Sequence, residues 1–204
     1  MNKLFTTTTI AAAAFGLGLL STAAFAGQVA PSQQDGTAQG VIIVPASASP
    51  NEVTGQVQGF KRGKLVTFEA AANPGDIIIN TRQNQLYYVL GDGQAVMYRV
   101  ATAKKGFEWK GSHQVSSKVK WPDWRPPAEM RKRRPDLPRH MAGGPNNPLG
   151  ARALYLGSTI YRIHGTNEPS SIGKAASSGC IRMLNEDVSE LYRYVKIGAR
   201  VTVL

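Results

Sequence analysis

Hydrophobic positions along this chain follow two periods. From Asp76 onward they come in short runs, Ile77-Ile78-Ile79, Leu86 to Leu90, Ala95 to Ala101, Ala153 to Leu156 and Ile160 to Ile163, separated by Gly, Asn and Asp. Runs of that length between turn formers predict strands, and Asp92-Gly93 between two of them predicts a hairpin. Near the C-terminus the period lengthens: Val188, Leu191, Tyr192 and Val195 fall on one helical face. Asn185 stands where a cap belongs, and Glu186 and Asp187 suit the positive end of the helix dipole. Gly198 ends this helix, and Val201 to Leu204 supplies a last strand. The pattern predicts a mainly β domain, a sandwich or barrel of mixed sheets with one or two helices.

Two stretches break the pattern. Between Trp121 and Pro148 lie seven of the twelve prolines, with Trp121, Trp124 and the run Arg131-Lys132-Arg133-Arg134. Proline at that density forbids regular strand or long helix, so a surface excursion inserted in the sheet is expected. It reads either as a solvated basic loop or as a lid over a binding cleft. Gly27 to Gly59 carries only Asp35 and Glu52 as charges among Gly, Ala, Ser, Pro and Gln, and reads as a flexible tether. The expected organisation is a leader over 1–26, a tether over 27–70 and one globular domain over 71–204.

Composition narrows the class. A chain of 204 residues, 42% hydrophobic and 18% charged, with 21 Gly, holds one compact domain with a core. The leader shows Lys3, an uncharged stretch from Ile10 to Leu20 and the small-x-small triplet Ala24-Phe25-Ala26, the order of a secretory signal peptide cut after Ala26. Its apolar run is shorter than the roughly 20 residues that span a bilayer. The formal charge of +11 points to anionic surroundings. Export turns that reading away from nucleic acid and toward cell-wall polymers and lipid head groups.

Cys180 is the only cysteine, so in an oxidising compartment it has no partner within the chain. The small residues Ser177-Ser178-Gly179 before it let the backbone turn tightly and expose the sulfur. His164 closes a predicted strand, and a flexible loop containing Pro169, Gly173 and Gly179 separates the two. A thiol needs an imidazole as base or stabilising cation, and backbone N–H groups at Gly179 and Cys180 suit a developing oxyanion. His113, His140 and His164 are too far apart in sequence to suggest a metal site, and no phosphate-cradling loop or G-x-S-x-G elbow occurs. No cofactor is expected.

The segments Ile163-His164-Gly165-Thr166-Asn167, Ser171-Ile172-Gly173 and Ser177-Ser178-Gly179-Cys180-Ile181-Arg182-Met183 resemble the active-site signature of the YkuD-type L,D-transpeptidases. The resemblance runs from about Asp76 to Leu204. It implies a β-sandwich-like domain acting on peptidoglycan stem peptides, with Cys180 as nucleophile and His164 as base. Gly179, with Ser177 and Ser178, would serve the oxyanion and orientation. Arg182, Gly165, Thr166 and Asn167 would meet substrate. The implied reaction releases a terminal D-alanine through a thioester and passes the acyl group to an amine, for 3→3 crosslinking or attachment of an outer-membrane protein to the wall. Water as acceptor would make the enzyme an L,D-carboxypeptidase, and a non-catalytic wall-binding module is the alternative of a different class. The chain departs from the commonest family pattern at Ser178, where many members carry a second histidine. A periplasmic or wall-associated location is expected, with no membrane span after signal cleavage.

Overall fold

The computed structural model describes residues 59–204; the expected signal peptide and most of the expected tether lie outside them. Eleven strands and two helices follow in the order β1 (Lys64–Thr67), β2 (Ile77–Asn80), β3 (Gln85–Gly91), β4 (Gln94–Arg99), β5 (Thr102–Ala103), β6 (Gly111–Lys120), α1 (Ala128–Arg133), β7 (Arg152–Leu156), β8 (Arg162–His164), β9 (Ala175–Ser177), β10 (Ile181–Arg182), α2 (Asn185–Tyr194) and β11 (Arg200–Val203). Nine form one mixed sheet in the order β1-β4-β3-β2-β11-β6-β7-β8-β10, and β5 pairs with β9. This is the expected mainly β class.

β6 joins the two halves. Its first residues, 111–114, pair with β11, and the stretch from Val115 to Lys120 pairs with β7. The sheet thereby folds over itself, so Ile77, Ile79, Leu86 and Tyr98 from one half share a core with Leu154, Leu156, Ile163 and Ile181 from the other. Ile78, Tyr87, Val89 and Met97 point the opposite way into a second cluster with Val66 and Phe68. Cover on both faces explains why Ile77-Ile78-Ile79 is an uninterrupted apolar run. The Asp92-Gly93 hairpin is present: both residues have positive φ, 51° and 69°, where glycine sits without steric cost.

Three expectations are revised. The last residues of the 27–70 stretch are part of the fold: β1 pairs with β4, and Phe60 stacks on Tyr194 at 3.9 Å. The N–H groups of Lys61, Arg62 and Gly63 donate to the buried Glu190 carboxylate on α2, which also accepts from the Tyr98 hydroxyl. Asn185 does not cap α2; its amide is spent elsewhere, accepting from the Ala151 and Thr166 N–H groups at 2.9 and 3.1 Å and donating to the Thr166 carbonyl. The run expected as a strand from Ile160 begins only at Arg162, because Gly157 to Ile160 form a turn that leaves Ile160 exposed.

Candidate active site

β8 and β10 run parallel at the end of the large sheet, with Ile163 level with Ile181 and His164 level with Arg182. Strand alternation sends Ile163 and Ile181 into the core beside Val188 and Leu191 of α2, and turns Arg162, His164 and Arg182 to the other face. Cys180, one residue before Ile181, falls beside Arg162 on that same face. The loop of residues 165–179 thus returns the cysteine to the strand that carries the histidine.

His164 is buried, and its Nδ1 lies 2.6 Å from the Gly165 carbonyl oxygen. A carbonyl only accepts, so Nδ1 carries the hydrogen and Nε2 keeps its lone pair. A backbone carbonyl therefore holds the ring. Burial pushes the imidazole down to about 3, with the cations Arg182 and Arg162 pushing the same way against the Gly165 bond. Burial also pushes the half-buried Cys180 thiol up, against the pull of Arg162 and Arg182. Both groups rest neutral, so His164 is not a standing cation and its Nε2 lone pair is free to accept a proton.

The turn before the sulfur is built by its neighbours. Gly179 has φ +111°, and a Cβ there would meet the Tyr161 ring at 2.6 Å. The Trp109 indole donates to the Gly179 carbonyl at 2.7 Å, and its ring stacks on Tyr161 at 4.4 Å and 5°. The buried Ser177 hydroxyl donates to the Cys180 carbonyl and accepts from the Gly179 N–H at 3.1 Å. Trp109 gave no signal in the sequence beyond its ring. The Gly179 N–H, expected to serve an oxyanion, is engaged by Ser177 in this structure.

Cys180 and His164 open into a cavity of about 510 Å³. Its floor includes Arg162, Ser177, Ser178 and Arg182, and its roof is the proline-rich excursion: Trp124, Pro127, Met130, Arg133, Arg134 and Leu137. With Lys104, five cations line it, and no carboxylate does. Trp121 and the run's first members, Arg131 and Lys132, are not in the lining. Of the expected substrate residues only Arg182 lines the cavity, with one guanidinium nitrogen 2.9 Å from Glu168. Gly165 serves through its carbonyl. Thr166 is buried against Asn185, and Asn167 donates to the Asn146 carbonyl; both shape the loop after β8.

A family model described as the L,D-transpeptidase catalytic domain, YkuD, matches residues 74–203. A putative L,D-transpeptidase from the ATP synthase subunits region of Fuscovulum blasticum is 30% identical over 94% of this chain and 96% of its own length. The probable L,D-transpeptidase ErfK/SrfK of Escherichia coli K12 is 35% identical over 63% of this chain, which spans 43% of that relative's length. Among solved structures, L,D-transpeptidase 3 from Mycobacterium tuberculosis shares the fold, with a TM-score of 0.50 at 17% identity over 63% of this chain and 60% of its own.

Proposed function

Since the chain belongs to the YkuD family of L,D-transpeptidase catalytic domains, we propose that it is an exported cysteine acyltransferase acting on peptidoglycan stem peptides. The observation that carries this reading is the pairing of Cys180 with His164 in one cation-lined cavity, the imidazole held with Nε2 free of its Gly165 bond. A neutral thiol beside a neutral imidazole is set for proton transfer on demand.

In the first half-reaction, His164 Nε2 takes the thiol proton and the sulfur attacks the carbonyl carbon of the stem peptide's penultimate residue. The Cys180 N–H faces the resulting oxyanion. Collapse breaks the C–N bond to the terminal D-alanine, whose nitrogen leaves as an amine with the proton from His164. A thioester to Cys180 remains. In the second half-reaction an acceptor amine gives its proton to His164 and attacks the thioester; an amide forms and the proton returns to sulfur. The five cations of the lining suit a peptide bearing free carboxylates. Export to the periplasm or wall rests on the leader pattern in residues 1–26; among the described residues no helix is long and apolar enough to cross a membrane.

Mass spectrometry of tetrapeptide stems incubated with the protein tests the reading. Loss of D-alanine and an acyl adduct on Cys180 are expected, and the mass of the product identifies the acceptor as a second stem, a protein amine or water. Cys180→Ala should abolish adduct and release together while leaving the melting temperature nearly unchanged. Release that persists in this variant would end the thioester mechanism.

A further inference from the structure

Arg162 was absent from the sequence-level candidates, yet its surroundings single it out. It stands one residue before Ile163 as Cys180 stands one residue before Ile181, the pair that is in register across β8 and β10, and it is level with Tyr155 across the antiparallel β7–β8 pair. Its guanidinium lies over the Tyr155 ring at 4.9 Å, and one terminal nitrogen donates to the Ile160 carbonyl at 3.1 Å. That carbonyl is also 3.9 Å from Cys180 Sγ, so thiol and guanidinium converge on one oxygen. Its Nε is buried and has no hydrogen-bond partner. A buried donor without a partner is destabilising, and structures keep such groups at few positions without function. No acidic side chain lines the cavity to neutralise it, whereas Arg182 is already paired with Glu168.

We infer that Arg162 is the counter-ion of the Cys180 sulfur, holding the charge that appears there when the thiol proton passes to His164. The inference rests on the catalytic reading of Cys180 and His164 and deepens it. In that step the S–H bond breaks and an Nε2–H bond forms on His164. Charge separates within the pair, and the net charge of the site is unchanged. The imidazolium carries one positive charge and the sulfur one negative, beside a guanidinium whose donor was idle in the resting site. Tyr155 beneath and the Ile160 carbonyl at the side hold the guanidinium in place before the charge appears, so little reorganisation accompanies ionisation.

The readout is the pH dependence of Cys180 alkylation by iodoacetamide, which is neutral and needs no stem peptide. An opposite charge at this range shifts a pKa by roughly 1–3 units. Arg162→Gln should therefore raise the alkylation midpoint by at least about one unit, and Arg162→Lys should restore part of that shift because it keeps the charge. Arg182→Gln should move the midpoint less. An unchanged midpoint in Arg162→Gln together with a raised KM for stem peptides would overturn the inference and assign Arg162 to a substrate carboxylate. An unchanged midpoint with unchanged turnover would overturn it as well and leave Arg162 a packing residue. If Arg162→Gln does not fold, thiolate absorbance near 240 nm in Tyr155→Leu, which keeps Arg162 but removes the ring beneath it, should titrate at higher pH than in the parent, and an identical titration would count against the inference. Failure of the parent to process stem peptides, with the alkylation shift intact, would instead overturn the proposed activity alone.

Discussion

The floor and the roof of the cavity are built from opposite materials. The floor is strand: His164 and Ser177 are buried, and their neighbours Ile163 and Ile181 are core residues at 0% and 1% exposure. The roof has a six-residue helix, α1, with no buried residue, set in a loop where Lys132 pairs with Glu129 and Arg134 with Asp136 in full view of solvent. Yet the roof is fixed at its roots. The buried Asn147 amide donates to the carbonyls of Pro122, Met141 and Ala142, and Trp124 and Met141 exchange two backbone bonds of 2.8 and 2.9 Å. Cys180 and His164 thus sit where placement is maintained by packing, whereas Arg133 and Arg134 sit on a strut that can vary its outer surface without disturbing them.

This contrast makes floor substitutions act on kcat and roof substitutions on KM. The largest effect belongs to His164. His164→Gln should lower kcat by about 10²–10⁴, the usual contribution of a general base. It should also flatten the stability profile: the folded-state value near 3 lies below the usual 6.5, so the unfolded chain binds a proton that the native site refuses. Stability should therefore fall as pH drops from about 6.5 toward 3, by up to about 1.4 kcal/mol per unit, and the variant should lose that component in urea titrations. A parent and variant with parallel profiles would show that folding leaves the pKa of this imidazole unshifted.

Ser177→Ala comes next. It leaves the Gly179 N–H and the Cys180 carbonyl without their shared partner, at a cost of about 1–3 kcal/mol in stability, and should lower kcat through displacement of the sulfur. Loss of stability with kcat intact would show that the turn is held by Trp109 and Tyr161 instead. The smallest effect sharpens the roof. Replacing Arg133 and Arg134 with Gln should raise KM a few-fold and weaken its salt dependence, whereas the same change at Arg131 and Lys132 should leave KM alone, because only the first pair lines the cavity. Equal effects from both pairs would return the run to a general electrostatic role.

Strands with apolar runs and the α2 stripe were legible in the sequence because burial there coincides with periodicity. β6 was not. Its residues, Gly-Ser-His-Gln-Val-Ser-Ser-Lys-Val-Lys, bury only Val115 fully, yet it is the strand that joins the two halves of the sheet. Its place is set by backbone pairing on both sides, which leaves no hydrophobic trace. Cys180 and His164 were legible through their signature. Arg162 was hidden as the polar member of an alternating strand, and Trp109 as a lone aromatic far from Cys180 in sequence. Asn185 shows the opposite failure: a residue type suited to capping instead accepts from the Ala151 and Thr166 N–H groups, a long-range partnership that local spacing does not reveal.

The knot of bonds at Glu190 has a mechanical meaning. The chain enters the domain at Phe60 to Gly63, and there three successive N–H groups are gathered by one carboxylate on α2 while Phe60 stacks on Tyr194. None of these residues lines the Cys180 cavity. A pull on the segment preceding residue 59 is therefore borne first by α2 and β1, loaded across several bonds at once, and reaches β8 and β10 only after that mooring has failed.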